Sequence, residues 1–262
     1  MEKLKNAANK KYFLGTINKT LAVLDLFRKD DVLGITEIAK KLSIGKSNVF
    51  RIVITLEHWG YLEKNANGKY RLGVALAYLG NLVLERQEIV NTARPFLQKL
   101  RDAHNETAHL VVLTPAHEAI FFLKEDSGHR IQMNSRIGHK LPLYVTASGK
   151  LLLAFSEQEF INEYLNNIEL IRQTKNTIVS KTDLLENLQG IRKAGFSIDN
   201  EESEDGLVCY AAPVRNINGK VVASISMSGP AYRMENNKEA RVEAVKKIAN
   251  EISQALGYMA DY

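Results

Sequence analysis

Between Thr36 and Leu72 two short helical patterns and a hairpin pattern follow one another with almost no spare chain, and this spacing constrains the fold more than any other feature. The first pattern opens at Thr36, a residue type suited to cap a helix, and sets Ile38, Ala39 and Leu42 on one face. Ser43-Ile44-Gly45 supplies a tight turn. From Lys46 to His58, Val49, Ile52, Val53 and Leu56 recur at helical spacing and point inward, leaving Lys46, Ser47, Asn48, Phe50 and Arg51 outward. Two helices joined by so short a turn make a helix-turn-helix. Gly60 to Lys64 and Lys69 to Leu72 then flank Asn67-Gly68, the signal of a β-hairpin. Upstream, Ile17, Leu21, Leu24 and Phe27 predict a helix from a second candidate cap, Thr16, to Arg28. The whole reads as a winged helix-turn-helix.

The charge is divided at the same place. Up to Leu72 there are 14 Lys/Arg and 7 Asp/Glu, a balance of +7, whereas the rest carries 21 against 23, or −2. A basic head on a near-neutral body suits a head that meets a polyanion. A helix in the major groove reads bases near its N-terminal end: Arg51 has the donors for guanine and Asn48 for adenine, while Lys46 and Ser47 suit phosphates. Lys64, Lys69 and Arg71 of the hairpin are placed to touch the flanking backbone. Double-stranded DNA is the expected partner.

Domain boundaries follow: 1–72 for the DNA reader, 73–87 for an apolar-rich linker helix, and 88–262 for a second domain. Val74, Leu76, Leu79, Leu82 and Val83 make the linker a candidate seam for a homodimer or tetramer. Helices are expected over Ile89–His104, Ser148–Leu165, Thr182–Lys193 and Lys238–Leu256. Strands are expected over Thr107–Leu113, Ala119–Lys124, Ile131–Arg136, Phe196–Asn200, Leu207–Arg215 and Lys220–Ser228. Interleaving without a regular βαβ repeat predicts an α+β domain on an antiparallel sheet.

No stretch approaches the roughly 20 apolar residues of a spanning helix. The lone Cys209 cannot form an internal disulfide, which suits the cytoplasm. Hydrolytic, redox and nucleotide-binding motifs are missing, so neither an enzyme nor a cofactor is expected. Ser224, Ser226 and Ser228 share one face of a strand; by periodicity alone they face solvent or a polar ligand. Ala147 and Ser148, at the start of a helix, offer N–H groups to a carboxylate. A metal set of Cys209, Asp199 and His109 is a weaker alternative.

The run T-E-I-A-K-K-L-S-I-G-K-S-N-V-F-R-I, followed by L-E-H-W-G-Y-L-E and G-K-Y-R-L-G, resembles the DNA-binding signature of the IclR family of transcription regulators. It departs at Asn48, where threonine is more usual, and at Phe50, where histidine or tyrosine is. S-R-I-G, L-P-L-Y-V-T-A-S-G-K-L-L-L-A, G-F-S-I-D-N-E-E, G-L-V-C-Y-A-A-P-V and S-I-S-M-S-G-P resemble the family's effector-domain motifs. The resemblance implies a GAF-like or profilin-like effector domain that binds a small carboxylate. Backbone groups of Ala147 and Ser148 would hold the carboxylate, Asp199, Cys209, Ser226 and Ser228 would meet its other oxygens, and Met133, Leu141 and Tyr144 would form an apolar wall. Short loops and the ending L-G-Y-M-A-D-Y resemble the KdgR branch, repressors of pectin and uronate catabolism, which implies 2-keto-3-deoxygluconate as inducer. Glyoxylate, pyruvate or an aromatic acid is the alternative effector.

Overall fold

The computed structural model describes residues 14–85 and 88–259. It divides into two compact units between Arg86 and Gln87, so the helix expected as a linker is grouped with the first unit.

The first unit runs α1 (Gly15–Leu26), α2 (Ile35–Leu42), α3 (Lys46–His58), β1 (Leu62–Lys64), β2 (Tyr70–Leu72) and α4 (Val74–Glu85). Val23, Ile38, Val49, Val53 and Tyr70 are wholly buried together and fix α3 on α1 and α2. The two threonines expected as caps are not caps. Leu14 precedes α1 with no capping side chain, and α2 begins after Gly34, whose N–H donates to Glu37 Oε2 at 2.6 Å. A carboxylate at the third helical position reaching back in this way does the work assigned to Thr36. Ser43 ends α2 at φ 53° in the left-handed region. The hairpin pairs Leu62 with Leu72 and Lys64 with Tyr70, and Leu33 bridges to Tyr70 from outside it. Gly73 lies so close to the Gly60 carbonyl that any Cβ there would collide with it, which is how the chain turns from β2 into α4.

The second unit begins with α5 (Glu88–His104) and is organised around an antiparallel sheet: β3 (Thr107–Leu113), β4 (Ala119–Glu125), β5 (Lys140–Leu141), β6 (Ser197–Asn200), β7 (Leu207–Arg215) and β8 (Val221–Pro230). Its strand order is β5-β4-β3-β8-β7-β6. Alternation decides which face each side chain meets. Val111, Phe121, Cys209 and Ala211 pack with α6 (Ala147–Ala154), α7 (Gln158–Asn167) and α8 (Lys181–Ala194). The opposite face, with Tyr210 and Met227, meets α9 (Ala231–Met234) and α10 (Lys238–Ala255): the Tyr210 hydroxyl donates to the Met234 carbonyl at 3.0 Å. The α+β architecture is as the sequence predicts.

Two expectations fail in this unit. Ile131–Arg136 is irregular rather than a strand, and on the side of β4 away from β3 the pairing partner is Lys140–Leu141. Its carbonyls are taken by side chains instead of a ladder: Lys124 Nζ donates to Met133 and Ser135, and Arg233 Nη2 to Ile131. The single helix expected from Ser148 to Leu165 is two, α6 and α7. Arg192 takes the Ala154 and Ser156 carbonyls at the end of α6, stabilising the break. Among the described residues no helix is long and apolar enough to cross a membrane.

Candidate functional site

On α3, Val49, Ile52, Val53 and Leu56 are buried while Lys46, Ser47, Asn48, Phe50 and Arg51 are exposed, Phe50 by 51%. A phenylalanine this exposed and outside the core cluster is available to a partner. No side chain caps the N-terminus of α3, so its first N–H groups are open to a phosphate. The hairpin cations are in different states. Lys69 Nζ lies 3.0 Å from Glu37 Oε1, and Arg71 donates through Nε and Nη2 to Glu63 Oε2 at 3.1 and 2.9 Å. Lys64 is exposed, 6.0 Å from the centre of the Tyr70 ring. Glu37 and Glu63 thus hold two of the three expected backbone contacts, a pairing that the hairpin register makes legible only once Glu63 and Arg71 are known to be opposite.

The second candidate site is a small cavity on the α6 face of the sheet, lined by Phe121, Met133, Leu141, Thr146, Ala147, Ser148, Asp199, Ser203, Cys209, Ser226 and Ser228. Strand register explains the gathering: Asp199 is opposite Cys209, Cys209 opposite Ser228, and Ala211 opposite Ser226. The start of α6 closes one side. Thr146 caps it by accepting from the Gly149 N–H at 3.1 Å, leaving the Ala147 and Ser148 N–H groups without helical acceptors. Gly149 is required there because a Cβ would strike the Pro142 carbonyl. Eight of the nine residues expected to hold an effector line this cavity; Tyr144 does not. Its ring is buried in the core and its hydroxyl donates to the Ile171 carbonyl at 2.9 Å. Phe121, Thr146 and Ser203 were not anticipated. Phe121 sits in a segment read only as a strand, Thr146 lies in an effector-domain motif from which only its neighbours were picked out, and Ser203 is brought in by the turn after β6. Ser224, Ser226 and Ser228 are all buried, which rules out a solvent face; Ser224 bonds Ser148 Oγ at 3.2 Å, leaving the other two to the cavity.

Behind the lining lies a buried charged network. Asp199 Oδ1 accepts from the Glu202 and Ser203 N–H groups at 2.8 and 3.2 Å, and Oδ2 from the Ser203 hydroxyl at 2.5 Å. Burial raises its carboxyl above the usual range despite these bonds. The Lys150 ammonium, fully buried one turn into α6, lies 2.5 and 2.6 Å from the two Glu202 oxygens. Thr174 and Thr177 hydroxyls donate to the Glu201 and Glu202 carbonyls, pinning the same loop. Burial, aided by Asp199, pushes the Cys209 thiol up, so it is neutral and a poor metal ligand. Among the described residues no group of His, Cys, Asp and Glu is gathered for a metal, and His109 Nε2 is engaged with Ser135 instead.

The cavity measures about 20 Å³, room for one water, so a larger ligand needs lining side chains to yield. A larger cavity of about 580 Å³ on the other face is lined mostly by apolar groups such as Val112, Ile120, Phe122 and Val222. Its polar lining residues are Glu88, Thr114 and Asn216, whereas the smaller cavity gathers Thr146, Ser148, Asp199, Ser203, Ser226 and Ser228 at the start of a helix, the more suitable lining for a small acid.

Comparison with known proteins bears on both sites. Residues 16–66 match the IclR helix-turn-helix domain, and residues 81–254 match the bacterial transcriptional regulator IclR C-terminal domain. The chain belongs to the IclR family. It is 34% identical over 247 residues to the HTH-type transcriptional regulator KdgR of Dickeya chrysanthemi, covering 94% of this chain and 81% of that one. The IclR crystal structure from Thermotoga maritima superposes with a TM-score of 0.75 at 36% identity, over 93% of this chain and 99% of the other. An IclR homologue from Microbacterium hydrocarbonoxydans, crystallised with 4-hydroxybenzoate, superposes with a TM-score of 0.81 at 25% identity, over 92% and 98%. The protein is therefore an IclR-family, DNA-binding transcription regulator rather than an enzyme. Its sequence supports the KdgR branch.

Proposed function

We propose that the protein represses genes of pectin and uronate catabolism in the cytoplasm and is released from its operator by 2-keto-3-deoxygluconate. The observation that carries this reading is the meeting of free α6 N–H groups with Asp199, Ser226 and Ser228 in one cavity. The carboxylate lies against Ala147 and Ser148; Asp199, Cys209, Ser226 and Ser228 meet the keto and hydroxyl oxygens; Met133 and Leu141 cover the chain. Polar groups buried without partners are costly, so an acid rich in hydroxyls is poorly served by an apolar pocket, and this lining suits it better than an aromatic acid. Tyr144 acts from behind, through the core.

On the DNA side, residues 1–72 form the reader and 73–87 a linker. Lys46, Ser47, Asn48, Phe50 and Arg51 enter the major groove, and Lys64, Lys69 and Arg71 follow the backbone. Leu14 before α1, Ile17 and Leu21 of α1, and Val74, Tyr78 and Leu79 of α4 are exposed hydrophobic side chains. A second copy of the chain is the proposed occupant, since a twofold dimer reads twofold half-sites.

The test is thermal unfolding against 2-keto-3-deoxygluconate, pyruvate, glyoxylate and 4-hydroxybenzoate. A ligand at a hundred times its Kd stabilises by about 2.7 kcal/mol, visible as a raised midpoint. A rise with 2-keto-3-deoxygluconate alone supports the reading; a rise only with another acid overturns the effector and the pathway together.

A further inference from the structure

One buried polar atom beside the effector cavity has no partner. His109 on β3 is fully buried, and among the described residues its Nδ1 meets no hydrogen-bond partner. The other ring nitrogen, Nε2, is 2.6 Å from Ser135 Oγ. Strand register sets His109 opposite Ser226, and its ring centre is 4.7 Å from that of Phe121; Ser226 and Phe121 both line the cavity. Ser135 belongs to the irregular segment that contributes Met133 to the cavity lining, and Lys124 Nζ clasps that segment through the Met133 and Ser135 carbonyls at 3.4 and 2.9 Å. His109 is not itself in the lining of the small cavity, but it adjoins the lining residues Phe121 and Ser226 and is tied through Ser135 to the segment that supplies Met133.

A buried nitrogen left unpaired is costly, and native proteins keep few of them. Burial, with help from Lys124 and against Asp126, pushes the imidazole down to about 3, so the ring is neutral, with one donor and one acceptor nitrogen. The Ser135 hydroxyl can either donate or accept, so it leaves both tautomers open. A ligand hydroxyl has the same versatility and satisfies Nδ1 in either tautomer. A carboxylate satisfies only one of them, and a methyl group neither.

We propose that His109 is a ligand-contacting residue of the effector cavity, and that its Nδ1 reads a hydroxyl on the carbon chain of a short hydroxylated acid. The proposal rests on the effector reading given above. It adds a specificity element: a plain keto acid held at the α6 end leaves Nδ1 unpaired, and a buried group left unpaired is how a site rejects an analogue that lacks one hydroxyl.

Two variants separate this role from simple packing, because each mimics a different ring nitrogen. The amide of His109→Asn falls near the Nδ1 position and gives up Ser135; that of His109→Gln reaches the Nε2 position, keeps Ser135 and gives up Nδ1. Calorimetric titration of the full chain uses 2-keto-3-deoxygluconate as the hydroxylated probe and pyruvate as the plain one. H109Q is expected to weaken the hydroxylated acid by about tenfold or more while pyruvate stays within about twofold, and H109N to keep most of the hydroxylated acid's affinity. Equal losses in both variants, no loss in H109Q, or a wild type that prefers pyruvate overturns the proposal. A wild type that binds neither probe nor any other acid defeats the effector reading and His109 with it, whereas a wild type that binds while H109Q matches it defeats His109 alone. Should the variants not fold, the wild type labelled with ¹⁵N-histidine gives the answer: the His109 Nδ1 resonance moves when the hydroxylated acid is added, and a stationary resonance overturns the assignment.

Discussion

The two units place their functional side chains on opposite sides of their cores. In the first, Val49, Ile52, Val53 and Leu56 hold α3 from beneath, and the residues proposed to face DNA stand exposed outside that packing. In the second, Ser148, Asp199, Ser226 and Ser228 are no more than 3% exposed and are part of the interior. A surface reader can change its side chains without disturbing the fold. A buried site cannot, because each polar group removed leaves another without its partner. Operator preference is therefore easy to alter in such a chain, while effector preference is tied to stability.

The strongest way to break this comparison is Lys150→Met. It strands the Glu202 carboxylate in the interior, and removal of one partner from a buried pair costs about 3–5 kcal/mol, read by chemical denaturation. A loss as small as that of a surface substitution would mean that the cavity's supporting network is not integral to the core. Next in size is Arg51→Ala, expected to weaken operator binding by about 1–3 kcal/mol in fluorescence anisotropy. Stability should stay within about 0.5 kcal/mol; a comparable fall in stability would erase the contrast between the units.

His109 sharpens the same contrast through pH. Its folded value of about 3 lies below the ordinary 6.5, so between them the unfolded chain binds a proton that the folded chain refuses. Its contribution is fully present above pH 6.5 and is lost as pH falls, by about 1 kcal/mol over the first unit below that value. Asp199 and Glu202, raised by burial, act with the opposite sign, since the folded protein protonates them first. The difference between wild type and His109→Asn in urea unfolding at several pH values isolates the histidine, and parallel curves would contradict its burial in neutral form. The smallest effect is Glu63→Gln, which frees Arg71. An exposed pair contributes less than about 1 kcal/mol to stability, but one further phosphate contact steepens the salt dependence of DNA binding by about 0.9 in slope. An unchanged slope would place Arg71 away from the backbone.

The same contrast governs what could be read from the sequence. The stripe of α3 and the Asn67-Gly68 turn are local patterns, so the fold of the helix-turn-helix and its hairpin is legible in the sequence, but Ile17 and Leu21, expected on the buried stripe of α1, are exposed. The caps were not legible, because Glu37 competes with Thr36 for the same role and only the backbone shows which one wins. In the second unit the strands announced themselves, but Ile131–Arg136, apolar enough to pass for one, is held by Lys124 and Arg233 from distant parts of the chain. The effector residues came from motif resemblance, which supplied no sign that Tyr144 turns away to Ile171 or that Phe121 and Ser203 turn in. The Lys150–Glu202 pair spans 52 residues and has no local signature at all.

On the proposed function, a ligand held in the interior of the second unit changes what the exposed face of the first unit can hold. This coupling is tested most directly by titrating the protein onto an operator selected from a random duplex pool, with and without saturating 2-keto-3-deoxygluconate, at fixed salt. The account predicts that the ligand weakens operator binding by about fivefold or more, a coupling of at least about 1 kcal/mol. Identical affinity in its presence, with the ligand shown to be bound by a raised unfolding midpoint, would contradict it.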